Sequence, residues 1–269
     1  MTYRKRAAAG FTLIELVVVL VIIAVLAGLL IPQVSSLGRS TDMAASAKSQ
    51  ADIANNIQLF FTLQKRFPQG LDSLIDTSGA LYASDTTDAD TQTRGLPYAG
   101  ADGTRLQAQL AVASLMNATG AEYLRSFTRA GFDWVYDHDT TVVNANNSGT
   151  TQRYLIANGS TTAPTSVNVA EVTGTALIAK LVPQGLASGE RLVALGVGPR
   201  NTAVSKTIIN TPIYPGCDGK YYGRYVAVFR VYNSGERATL VAVIDSYGRH
   251  PDYTQQQFNE SLPNGGRQG

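Results

Sequence analysis

Residues 11–31 read FTLIELVVVLVIIAVLAGLLI, and this stretch decides the architecture. An α-helix rises about 1.5 Å per residue, so the stretch spans about 31 Å as a helix, the hydrocarbon thickness of a bilayer. A secretory signal peptide has a shorter apolar core with a small-residue cleavage site after it. Here the small residues Ala7–Gly10 come before the apolar residues, and Pro32 comes after them. We therefore predict a transmembrane helix over 11–31.

The charges that precede the apolar stretch predict its orientation. Arg4, Lys5 and Arg6 lie within the first ten residues, with no acidic residue beside them. Basic residues next to a span stay on the cytoplasmic side of the membrane. We predict a single-pass protein of the cytoplasmic (inner) membrane, with its N-terminus in the cytoplasm. The chain after Pro32 is then periplasmic or extracellular.

The rest of the chain carries little charge. Only 16% of the 269 residues are charged, whereas about a quarter is usual. The formal net charge is +2, and the three basic residues at the N-terminus account for more than all of it. Proteins that bind nucleic acid present a basic surface, so we expect no nucleic-acid partner. The single cysteine, Cys217, excludes an intramolecular disulfide and a cysteine-based metal cage.

Glu15 is the only charged residue within the apolar stretch. An acidic residue inside a membrane span costs about 2.5–3.5 kcal/mol, and such residues have a functional role by default. One interpretation is that Glu15 lies near the interface and reaches water. The other is that it has a positive partner, which the stretch itself lacks. Cleavage after Gly10 would create an α-amino group on Phe11, one helical turn from Glu15 and within reach of a neighbouring subunit.

Residues 10–15, which read GFTLIE, resemble the type IV prepilin family in their setting between a short basic leader and an apolar stretch. That family includes type IV pilins and the pseudopilins of type II secretion systems. The resemblance is close over residues 4–32 and looser over about the next thirty residues. Pro32 stands where many members of the family carry a helix-bending proline.

The resemblance implies a role for each residue of the motif. Gly10 would be the last residue of the leader, recognised by a membrane-bound prepilin peptidase, and Phe11 would become the new, N-methylated N-terminus. Glu15 would pair with the Phe11 amine of an adjoining subunit and set the axial register, because one stagger then satisfies two charges in an apolar environment. The implied partners are the peptidase, other pilin-like subunits through the N-terminal helix, and an inner-membrane assembly platform.

An amphipathic pattern continues beyond Pro32, which can kink or interrupt a helix. Apolar residues recur at steps of three or four positions, at Val34, Leu37, Ala44, Ala47, Ala51, Ala54, Ile57 and Phe61. The pattern ends near Arg66, because Phe67-Pro68 follows and proline disfavours helix in the residue before it. We therefore predict a helix from Phe11 to Arg66, in which residues 32–66 form an amphipathic continuation.

Residues 67–250 predict one extracytoplasmic globular domain, between this helix and a flexible tail at 251–269. Two segments rich in Thr, Asp, Asn, Ser and Gly, 76–103 and 137–170, predict surface loops. Short helices are predicted near residues 106–113, 123–127 and 176–181. Strands are predicted at 191–197, 206–213, 224–232 and 237–245, with a hairpin turn at 233–236. Residues 1–10 are predicted to form a leader that precedes the helix.

A long helix followed by an antiparallel sheet with loop insertions predicts an α+β fold, and the resemblance implies the pilin-like lollipop. Type IV pilins often close a C-terminal loop with a disulfide, which one cysteine cannot form, so the chain departs from them there. This departure favours a pseudopilin or a minor pilin-like protein. The stretch Lys48–Asp76 loosely resembles the G-type major pseudopilins.

Members of that group often bind calcium in a C-terminal loop, and calcium requires several oxygen ligands close together. The candidate ligands here are Asp218, Asp245 and Asp252, which form no dense cluster in the sequence. We therefore expect no cofactor, with calcium as the alternative.

Catalytic motifs are lacking. The sequence has no Gly-x-Ser-x-Gly, no phosphate-binding loop and no His-Glu-x-x-His. Residues 196–198 begin like a nucleotide fingerprint, but Pro199 breaks it, and residues 137–139 (DHD) are predicted to form a surface turn. We expect a protein that is not an enzyme.

The sequence predicts a structural subunit of a pilus-like filament, in the first place a pseudopilin of a type II secretion system. One alternative is a type IV pilus (minor) pilin used in adhesion, motility or DNA uptake. A second is a single-pass, membrane-anchored binding domain that never assembles. That alternative predicts no cleavage at Gly10 and an unimportant Glu15.

Overall fold

The computed structural model describes residues 13–75, 113–114, 121–137, 151–154, 169–213 and 224–245. These residues contain helices α1 (Leu13–Gln64), α2 (Ala121–Arg129) and α3 (Thr175–Leu181). The first four strands are β1 (Leu71–Asp72), β2 (Ala113–Ser114), β3 (Trp134–Asp137) and β4 (Thr151–Tyr154). The others are β5 (Ala170–Val172), β6 (Glu190–Gly196), β7 (Val226–Tyr232) and β8 (Thr239–Ile244).

Helix α1 is 52 residues long, which corresponds to about 78 Å. Its backbone is helical through Pro32, so the proline does not interrupt it. The helix ends where Lys65 adopts a left-handed conformation, with φ of 56°, and donates its N–H to the Phe61 carbonyl at 2.8 Å. This arrangement is a common way to end a helix. The end lies close to the predicted one at Arg66.

The strands form one sheet centred on β6, which pairs antiparallel with β5, β7 and β1. Strand β8 pairs with β7 as the predicted hairpin, while β2 continues the sheet beyond β5. Beyond β1 the sheet continues with β3, which pairs with β1, and then with β4, which pairs with β3. One pair departs from the predicted antiparallel arrangement, because β1 and β3 are parallel, with Leu71 opposite Val135. The N-terminal helix followed by a sheet confirms the α+β prediction.

Each face of the sheet is covered by helix. Alternate residues of a strand point to opposite faces; accordingly, Val193 and Leu195 belong to one core cluster and Leu192 and Ala194 to another. The first cluster includes α1, through Ile53, Ile57 and Phe60, and α2, through Tyr123, Leu124 and Phe127. The second includes α3, through Leu177. The sheet therefore lies between α1 and α2 on one side and α3 on the other.

Phe229 of β7 joins three parts of the first cluster. Its ring centroid lies 5.2 Å from that of Phe67, just after α1, and 5.4 Å from that of Phe127 in α2. It lies 6.4 Å from the ring of Phe132, which precedes β3. Aromatic pairs at these separations stabilise beyond their buried area. This aromatic cluster ties the end of α1 to the sheet.

Arg191 of β6 connects α2 to the sheet. Its guanidinium carbon lies 4.5 Å from the Tyr123 ring centroid, and its Nη1 lies 3.0 Å from Glu171 Oε2 on β5. Burial alone would lower the pKa of Arg191, but the hydrogen bond to Tyr123 and the Glu171 carboxylate outweigh it and raise the pKa. Arg191 therefore keeps its positive charge at neutral pH, as its contacts with Glu171 and the Tyr123 ring require.

The predicted strand over 206–213 is wrong. The segment after β6 forms turns, with a single bridge between Val204 and Ile208. Asn201 accounts for this, because its Nδ2 donates to the Gly198 carbonyl at 2.6 Å and its Oδ1 accepts the Ala203 N–H at 2.9 Å. An asparagine side chain that bonds its own backbone in this way favours a turn over a strand.

Strand β4 corrects the predicted loop over 137–170. Its residues, Thr-Gln-Arg-Tyr, pair with β3 in antiparallel register, although they show no apolar alternation. The end of β3 and the first residue of β5 also fall within the predicted loop. The helix predicted near 106–113 meets β2 at Ala113, which is a strand residue. The loop at 76–103 and the tail at 251–269 lie outside the described residues.

Gln69 holds the chain between α1 and the sheet. Its buried side-chain Oε1 accepts the N–H groups of Asp133 at 2.7 Å and Trp134 at 3.2 Å. Its Nε2 donates to the carbonyls of Phe67, at 3.3 Å, and Gly131. One amide therefore satisfies four backbone groups where the chain passes from α1 to the sheet.

Replacing Gln69 with leucine should lower the free energy of unfolding by about 2–4 kcal/mol, because buried backbone groups lose their partners. The measurement is thermal or urea unfolding of the full-length protein, followed by circular dichroism. Gln184→Leu is the matched control, since Gln184 is exposed. Equal stability of the two variants would contradict this assignment.

Gly70 combines a left-handed backbone with close packing. Its φ is 72°, and a Cβ at this position would lie 2.7 Å from two atoms of the Trp134 ring. Gly185 has a similar φ of 78°, but nothing lies within 4 Å of its Cβ position. The two glycines therefore separate backbone strain from steric clash.

Gly185→Ala should lower stability by about 1 kcal/mol through backbone strain alone. Gly70→Ala should cost about 1–3 kcal/mol more, because Trp134 must move. The same unfolding experiment gives the difference. If both variants lose equal stability, the packing of Trp134 on Gly70 does not constrain the fold.

Candidate functional site

The N-terminal part of α1 presents an apolar surface that the described part of the chain does not cover. Exposed fractions there run from 46% at Val17 to 82% at Leu13. Apolar surface of this extent marks a contact with membrane or protein. We call it the apolar helix surface; its large exposed side chains are Leu13, Ile14, Leu16, Val17, Val18, Val19, Leu20, Val21, Ile22, Ile23, Val25 and Leu26.

The apolar helix surface extends around the helix, because every position from Leu13 to Leu26 except Glu15 is apolar. A helix that is apolar on all sides is found inside protein or membrane. Within the residues that the structure describes, no helix is both long enough and apolar enough to cross a membrane.

Glu15 is the one charged residue of the apolar helix surface. It lies in the first turn of α1, and its side chain is exposed. The N-terminal end of a helix carries partial positive charge, which favours a carboxylate there. The predicted partner Phe11, the leader residue Gly10 and the basic residues Arg4, Lys5 and Arg6 lie outside the described residues. The structure thus places the Glu15 carboxyl group in the first described turn of an otherwise apolar helical segment.

The C-terminal part of α1 differs, since one side of it packs against the sheet. Its buried residues are Ser46, Gln50, Ile53, Ile57 and Phe60. The predicted stripe is confirmed in part. Ile57 is buried, and Ala54 and Phe61 pack against the core at the edge of the buried face. Ala44 and Ala51 are exposed. The small alanines misled the prediction, and the larger side chains of Ile53 and Phe60 carry the signal that finds the buried face.

The structure describes one of the three calcium candidates. Asp245 is buried at the end of β8, and Asp218 and Asp252 lie outside the described residues. Where the chain is described, no three residues among His, Cys, Asp and Glu are grouped to hold a metal ion.

The glycines after β6 have a packing role. A Cβ on Gly198 would lie 2.0 Å from Asp72 Oδ2, so this glycine leaves room for a buried carboxylate. The turn predicted at 137–139 begins at the last residue of β3, Asp137, and its other two residues lie outside the described part.

No curated protein and no solved structure is similar enough to this chain to count as a match. The family model of the prokaryotic N-terminal methylation motif matches residues 5–31. This range contains Gly10, Phe11 and Glu15 and the whole of the apolar helix surface, so the resemblance seen in residues 10–15 is confirmed. The motif is the one found in the class III signal peptides of type IV pilins and pseudopilins.

Proposed function

We propose that this protein is a structural, non-enzymatic subunit of a pilus-like filament. The observation that carries the proposal is that a sequence motif and an exposed apolar surface occupy the same segment of the chain. The N-terminal methylation motif at residues 5–31 overlaps an apolar helix surface whose single charge is Glu15. A motif of this kind implies processing by a prepilin peptidase and assembly with other pilins.

Processing prepares the helix for assembly. The peptidase cuts after Gly10 on the cytoplasmic side, and Phe11 becomes a methylated N-terminus. Before assembly, residues 11–31 are held in the cytoplasmic membrane, with Arg4, Lys5 and Arg6 in the cytoplasm. The globular domain is then on the periplasmic side.

Assembly replaces lipid contacts by contacts between helices. The apolar helix surfaces of neighbouring subunits pack together, and the globular domains surround them. The Phe11 amine of one subunit pairs with Glu15 of the next, since each charge is stabilised by the other in an apolar interior. This pairing selects one axial stagger.

Within this class we propose a pseudopilin of a type II secretion system, in which the filament pushes folded cargo outward. The single cysteine supports this choice, because it removes the disulfide that type IV pilins often carry. A minor pilin of a type IV pilus is the alternative. Deleting the gene separates the two, since a secretion defect without a pilus defect supports the pseudopilin.

Intact-mass and N-terminal peptide analysis of the protein from its native membrane tests the processing step. The expected chain begins at Phe11 and carries one added methyl group. A chain that still begins at Met1, in cells with an active prepilin peptidase, would overturn the filament proposal.

Replacing Glu15 with glutamine should lower filament yield about tenfold or more, since a charge pair in an apolar environment is lost. Cleavage after Gly10 should persist. Glu236→Gln is the control, because Glu236 is an exposed acid of the globular domain. The measurement is the ratio of subunit in the sheared-filament fraction to subunit in the membrane. Unchanged yield with Glu15→Gln would remove Glu15 from assembly.

A further inference from the structure

We draw no further inference here: the strongest candidate, the exposed apolar patch that Leu59 and Leu63 form on the last turns of α1, carries none because nothing in the described part of the chain shows what covers it.

Discussion

The hydrophobic effect on one half of α1 is the constraint on which the molecule depends. From Leu13 to Leu26 the helix is apolar around its circumference except at Glu15, and the globular residues that the structure describes do not cover it. Removing apolar surface from water stabilises by about 25 cal/mol per Å², so such a helix favours any state in which lipid or other helices surround it. The rest of the described fold packs against the other half of α1 and leaves the apolar half accessible to lipid or to other helices.

That attachment is concentrated at the C-terminal half of α1. Ile53, Ile57 and Phe60 enter the main core, and the chain just beyond the helix contributes Phe67 to the cluster around Phe229. Gln69 then satisfies backbone groups on both sides of the connection. The globular domain thus has its own two-sided core, and its described residues pack against the C-terminal half of the helix. This division explains how one chain combines a globular body with an exposed apolar helix.

The sequence predicts the elements that carry strong periodic signals. Helix α1 follows from its apolar and amphipathic repeats, and the β7–β8 hairpin follows from apolar strands around Asn233–Glu236. Glu15 stands out because it is a lone acid among aliphatic residues. Other elements give no periodic signal in the sequence. Strand β4 is polar, and β1 has only two residues and pairs in parallel with β3. The segment after Asn201 contains several β-branched residues, which favour strand. It forms turns instead, because the Asn201 side-chain amide hydrogen-bonds to the backbone. Exposure of Ile209 and burial of Ile208 depend on that turn, so periodicity could not assign them.

The connection at Gln69 also determines how a pulling force on α1 passes to the sheet. A force applied along α1 leaves the helix at Lys65 and reaches the sheet within a few residues. There the Phe67 N–H donates to the Ala130 carbonyl at 3.2 Å, the Gly70 N–H donates to the Trp134 carbonyl at 3.0 Å, and the Gln69 amide bridges between them. A pull along α1 must therefore break several hydrogen bonds before the end of the helix separates from the sheet.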